Sequence, residues 1–314
     1  MGKLKESIMK KSSIKLQVVT ALTASMLFLS VLFSCVANSE SNVDIPEELT
    51  RWNAAEVLGE DYKKRDTIKI PKGVVRIEDQ AFYECDAQTI IIPSTVTRIG
   101  DQSGLYSWMG DGVFTGCENL QSIEIPESVT YIGTYAFKDC KSLKTVTLNE
   151  GLTIINREAF SDCTSLKEIT MPKSVTSIGV GAFFGCSSLK KVVLTENISV
   201  IQDSTFSDCS ALTDITIPEG VTCIESSAFA KCSNLTEITL PKSLTRIDNW
   251  AFDNCSSLRS VIIFAENPPS IPSNYGFRPF KGNDDNIKFY VPEDSVESYK
   301  MQWERYEDSI EPIW

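Results

Sequence analysis

Ten cysteines, 42 aspartates and glutamates and no histidine decide most of the chemistry open to this 314-residue chain. Without histidine a serine or cysteine nucleophile has no imidazole base, and the usual neutral-pH proton shuttle and metal ligand are both missing. A carboxylate pair could still serve glycoside hydrolysis, although a regular stack implies no cleft for it. No GxxxxGK[ST] run offers a phosphate cradle. Asp284-Asp285 and Asp101…Asp111 invite calcium, but neither keeps the alternate acidic spacing of an EF-hand loop, and solvated turns are the simpler reading. No metal site, cofactor or catalytic group is expected.

The cysteines are different because they are periodic. Cys117, Cys140, Cys163, Cys186, Cys209, Cys232 and Cys255 stand 23 residues apart, and Cys85 precedes them by 32. As metal ligands they would stack in a line instead of surrounding an ion, and no CxxC pair starts a site. As disulfides they could bridge neighbouring turns, but stacked strands hold adjacent side chains parallel, which does not suit a dihedral near 90°. As buried thiols each is a small hydrophobe able to hydrogen-bond the loop backbone, and this is the expected role. Cys223 is off the beat, in a column with Tyr131, Ile154, Ser177, Val200 and Arg246 whose character changes at every turn. It is expected to face solvent as the accessible thiol of the body, against the alternative of an inert half-buried position.

Such periodicity requires a repeating scaffold. Phe82, Phe114, Phe137, Phe160, Phe183, Phe206, Phe229 and Phe252 keep the cysteine rhythm, and Pro126, Pro172, Pro218 and Pro241 share another column. Within one unit, Leu166, Ile169 and Met171 point inward along a short strand while Thr170 points outward. Pro172 ends that strand because it cannot donate to the ladder. Val175 and Ile178 mark a second inward stretch, and Ala182-Phe183 with Cys186 form a short helical or 3₁₀ segment. No single turn closes a core, so about eight turns must stack into one apolar column roughly 40 Å long.

The unit LxxIxIP…VxxIGxxAFxxCxxL is similar to the BspA-type leucine-rich repeat of bacterial surface proteins, over about Asp66 to Glu266. The segment Ile287–Val291 with Pro292, Val296, Tyr299 and Trp303 also resembles the family's closing segment. The resemblance implies a right-handed β/3₁₀ leucine-rich-repeat solenoid and a secreted or surface-anchored interaction protein linked to matrix or cell adhesion. It carries over no catalytic residue.

Two places could hold a partner. On the strand face, Glu124, Thr147, Thr170, Val193, Thr216 and Thr239 form one outward column, beside Glu168, Lys191, Asp214 and Glu237. Threonine also favours strands for purely structural reasons, so the face as a whole, and not any one residue, is the binding candidate. The insertion Asp101–Gly112 places Tyr106, Trp108 and Met109 in a glycine-bounded loop, as interface anchors or as a cover over the first turns.

The flanks divide the rest. Residues 1–34 read as an export signal: five lysines, an apolar run from Val18 to Phe33, then Leu32-Phe33-Ser34-Cys35, which resembles a lipobox with Cys35 as the lipidated residue. Residues 35–65 read as tether and N-terminal cap, with a helical beat from Ile45 to Gly59; residues 66–266 as the solenoid; residues 267–314 as a C-terminal cap, with Asn267–Pro272 halting the repeat and a short helix in Ser295–Tyr306. The net charge is −12, and −16 without residues 1–34. Nothing supplies the cationic surface a nucleic-acid partner needs, and a membrane would be reached only through the lipid. The expected role is an adhesin-like, protein-binding module on the bacterial outer membrane or cell surface. The alternative is a module binding envelope glycan or peptidoglycan.

Overall fold

The computed structural model describes residues 45–100, 111–272, 278–283 and 287–313. The export segment with Cys35, the insertion residues Tyr106, Trp108 and Met109, and Asp284-Asp285 lie outside the described residues. Every element below belongs to the compact unit Ile45–Trp314.

Each turn supplies two short strands, and each strand pairs in parallel with its counterpart one turn on. In the longer series Glu168 faces Lys191 and then Asp214, while Ile169 faces Val192 and then Ile215. Alternation sets the burial: Glu168 and Thr170 are exposed and Ile169 between them is buried. Pro172 then closes the strand, its carbonyl accepting the Val175 N–H at 3.1 Å. The second series is two residues long per turn, as in Ser177–Ile178, with the isoleucine inward.

The phenylalanine segment forms a third ladder. Local 3₁₀-type bonds run from Ala159 N to Asn156 O and from Ser161 N to Glu158 O. They alternate with bonds to the next turn, from Glu158 N to Val180 O, Phe160 N to Ala182 O and Asp162 N to Phe184 O. Left-handed backbone at Glu158 (φ 47°) and Asp162 (φ 57°) interrupts the helix and leaves every second N–H for the neighbour. Gly185, in the Asp162 column, has φ +71°, and a Cβ there would sit 2.3 Å from Asp162 Oδ1.

Inside, the eight expected phenylalanines stack face to face, with centroids 4.9–5.7 Å apart. Leu143, Leu166, Leu189 and their counterparts are fully buried beside them. The phenylalanine ladder runs without a gap from Gln80 to Lys281 through the described turns. The strand ladders do not. The longer series parts between Thr145–Leu148 and Glu168–Thr170 and again between Asp214–Thr216 and Glu237–Leu240; the shorter parts between Ser177–Ile178 and Val200–Ile201.

Both ends depart from expectation. The helical beat from Ile45 to Gly59 yields a helix only at Ala54–Leu58, and Glu48–Leu49 is a strand paired with Arg76–Ile77. The open edge of the shorter ladder is the cause: Glu47 O accepts the N–H groups of Val75 and Arg76, and Leu49 O accepts that of Glu78. At the other end Asn267–Pro272 disturbs the spacing without halting the stack. Ser270 N donates to Thr245 O, and Phe280 stacks on Phe252 at 5.1 Å. Lys288–Val291 and then Ile310–Pro312 extend the longer ladder, with the helix Val296–Gln302 between them as expected and Trp303 buried behind it.

Candidate functional site

The strand face emerges from the alternation just described. Glu124, Glu168, Thr170, Asp214, Thr216 and Glu237 are exposed, and Thr239 is half-buried. Val193 is 39% exposed between Thr170 and Thr216, an apolar centre in a polar surface. Ladder pairing holds the three strands Glu168–Thr170, Lys191–Val193 and Asp214–Thr216 side by side at roughly 4.8 Å. Asp214 is not a free acid, because Lys191 lies 3.3 Å from it across the turn. With both groups more than half exposed, this pair orders side chains more than it stabilises the fold.

An open groove of about 1230 Å³ lies on this face, lined by Thr147, Glu150, Glu168, Thr170, Lys191 and Val193 among others. It lies where the longer ladder parts, and there Val146, Leu148 and Leu194 are only partly buried. The sequence placed the outward columns but not this groove, since every turn carries the same local pattern.

A second hydroxyl row escaped the sequence reading. Thr153, Thr176, Thr222 and Thr245 each donate a side-chain bond to the carbonyl of the Thr or Ser one turn earlier, at 2.8–3.4 Å. Their 23-residue spacing was the available signal. These hydroxyls are committed to the ladder, so they contribute order and leave recognition to the first face.

The cysteine column is buried as expected. Cys140, Cys163, Cys186, Cys209, Cys232 and Cys255 each donate to the phenylalanine carbonyl of the preceding turn, at 3.1–3.3 Å. Burial raises every one of these thiols, Cys255 to about 12. Among the described residues no three Cys, Asp or Glu side chains gather as a metal group.

Cys223 corrects the expectation of an accessible thiol. It is 8% exposed, because the ladder stacks Val200 on one side and Arg246 on the other. Arg246 Nε donates to its sulfur at 3.1 Å. Burial, only partly offset by the hydrogen bond and charge of Arg246, leaves the thiol raised and slow to form thiolate. In native protein treated with iodoacetamide at pH 8, peptide mapping should find Cys223 unmodified until denaturant is added. Rapid labelling in the native state would restore the solvent-facing assignment.

A family model described as BspA type leucine-rich repeat region matches residues 60–103, 107–232 and 199–294. Among solved structures, a leucine-rich repeat protein from Bacteroides ovatus is 29% identical over 72% of this chain and 63% of its own, with a TM-score of 0.56. A leucine-rich cell surface protein from Faecalibacterium prausnitzii is 29% identical over 71% and 65%, with a TM-score of 0.42. A T. pallidum leucine-rich repeat protein is 30% identical over 55% and 78%, with a TM-score of 0.49. The chain thus spans less than two thirds of the first two. No curated protein matches it.

Proposed function

The chain belongs to the BspA-type leucine-rich repeat family, and from that premise we propose that it is a binding module which holds an extracellular protein against its longer-strand face. One observation carries the reading: three ladder-paired strands present Glu168, Thr170, Lys191, Val193, Asp214 and Thr216 outward from a fully packed interior. A rigid, ladder-paired face loses little entropy on binding and can offer several modest contacts at once. The exposed Val193 supplies an apolar centre, and the carboxylates favour a basic rim on the partner. The insertion with Tyr106, Trp108 and Met109 would add aromatic anchors. Binding, not catalysis, is the role that this surface suits.

The proposed location is the bacterial surface, with export directed by residues 1–34 and attachment through a lipid on Cys35. Among the described residues no helix is long and apolar enough to cross a membrane. Cys35→Ser should move the protein from the membrane fraction to the soluble exported fraction and end incorporation of labelled fatty acid. Unchanged fractionation would remove the lipid anchor from the proposal.

Binding is tested first on immobilised extracellular-matrix proteins and on a glycan array with the full chain. For whichever surface captures it, two variants are compared at low and high salt: Glu168→Gln with Asp214→Asn, and Tyr106→Ala with Trp108→Ala. A protein partner on the strand face predicts weaker capture in the first variant, by roughly 3- to 30-fold, and weakening of the wild type by salt. Loss confined to the aromatic variant, with no salt effect, would replace this reading by a glycan-binding module.

A further inference from the structure

The cysteine column has one irregular member. Six of its thiols donate to the phenylalanine carbonyl one turn earlier, and Cys117 does the same, reaching Phe82 O at 3.0 Å. Cys85 has no such carbonyl, because no phenylalanine turn precedes its own. The ring above Phe82 is Tyr62, set edge-on at 5.8 Å, and its hydroxyl donates to Ala81 O. The Cys85 sulfur turns instead toward the following turn and lies 2.8 Å from the Cys117 sulfur. Non-bonded heavy atoms rest at about 3.5–4.0 Å, so this separation is too short for two thiols in simple contact. The two thiols are free, and their sulfurs lie between ordinary packing distance and a covalent bond of about 2.05 Å.

Position gives the contact a purpose. The chain between the two cysteines is the one long turn of the column, 32 residues in place of 23, and it contains the insertion Asp101–Gly110. A link at its root would tie the turn before the insertion to the turn after it and would restrict the unfolded chain most where the repeat is least regular. The hydrogen bond with Cys117 lowers the Cys85 thiol against the opposing effect of burial, and Lys63, whose ammonium donates to Tyr83 O at 2.7 Å, adds a smaller push toward the thiolate. Burial keeps Cys117 protonated until that thiolate has reacted.

We propose that Cys85 and Cys117 are a disulfide-forming pair, oxidised by a low-molecular-weight or protein disulfide while the first turns close. The Cys85 thiolate attacks one sulfur of the oxidant and displaces a thiolate from it. Cys117 then loses its proton and attacks the Cys85 sulfur of the mixed disulfide, releasing the second thiolate. One S–S bond forms in the protein and one is broken in the oxidant; two protein thiols are oxidised and their two protons pass to the released thiolates or to solvent. The other column thiols stay reduced, since among the described residues only Cys85 and Cys117 bring two sulfurs into contact. The inference is independent of the partner proposed above.

The test refolds the full chain in a buffer of reduced and oxidised glutathione, blocks free thiols with iodoacetamide in denaturant, and maps peptides without reduction. A peptide pair joined through Cys85 and Cys117 is expected, with Cys140 to Cys255 and Cys223 alkylated. The oxidised wild type should melt roughly 5–10 °C above the same protein reduced, and Cys85→Ser should show no such difference between the two conditions. If the variant does not fold, the comparison of oxidised and reduced wild type stands alone. Complete alkylation of Cys85 and Cys117 without reductant, a lasting glutathione adduct on Cys85, or linkage of either to another cysteine would each overturn the proposal.

Discussion

Raising the pH from 8 toward 11 should unfold this protein within a narrow interval. Six column thiols, Cys140 to Cys255 at 23-residue steps, are neutral in the fold and held there by burial. Below the ordinary thiol value of 9.0 the unfolded chain carries them neutral as well, so stability is intact. Above it the unfolded state releases protons that the folded state retains, and stability falls as pH rises toward the folded values, about 12 for Cys255 and likewise raised by burial for the other five. Each thiol contributes about 1.4 kcal/mol per pH unit, and six together on the order of 8 kcal/mol per unit. A folding free energy of about 5–15 kcal/mol would be exhausted roughly one to two units above pH 9. The measurement is the urea midpoint at intervals from pH 8 to 11, with Cys186→Ala as control, whose decline should be shallower by about one thiol. A midpoint unchanged to pH 10.5 would mean that the column is not buried as described.

Phe160→Ala should be the most damaging single truncation of the interior. The ring is fully buried, parallel to Phe137 at 5.0 Å and to Phe183 at 5.5 Å. Removing it costs about 3–5 kcal/mol for transfer and cavity, and about 0.5–1.5 kcal/mol of additional stacking at each neighbour. Because each turn touches only its neighbours, the gap should also divide the array into two halves that unfold separately, lowering the apparent m-value. Thr170→Ala, two residues from Glu168 on the exposed face, should cost well under about 1 kcal/mol. Denaturant melts of both variants decide the matter. Equal losses would reverse the assignment of faces.

Much of this molecule was legible before any coordinates. The columns headed by Phe160, Cys163 and Leu166 recur every 23 residues, and such a spacing has meaning only if the turns lie on one another. Inward and outward positions on the strand followed from alternation, and Glu168, Thr170, Asp214, Thr216 and Glu237 all emerge exposed. Cys223 did not follow that logic. Its own column changes residue type at every turn, and its cover comes from Arg246, a side chain whose length and direction the pattern does not state. The strand at Glu48–Leu49 was hidden for a related reason: a local helical beat competes with a sheet edge supplied by residues 75–78. Phe280 stands 28 residues after Phe252, outside any count by 23, yet stacks on it as the others do.

By itself the sequence determined the repeat, the direction in which each column points, the buried role of the periodic thiols and the absence of imidazole chemistry. These depend on composition and period, which are one-dimensional properties. Only the tertiary structure decided which turns remain hydrogen-bonded as one face and where the strand ladders part. It also decided that Cys223 is covered and that the Cys85 sulfur meets that of Cys117. Each of these depends on distances of a few ångströms between neighbouring turns, across which the phenylalanine ladder is continuous and the strand ladders are interrupted. A repeat whose units read almost alike contains no local mark of where those interruptions fall.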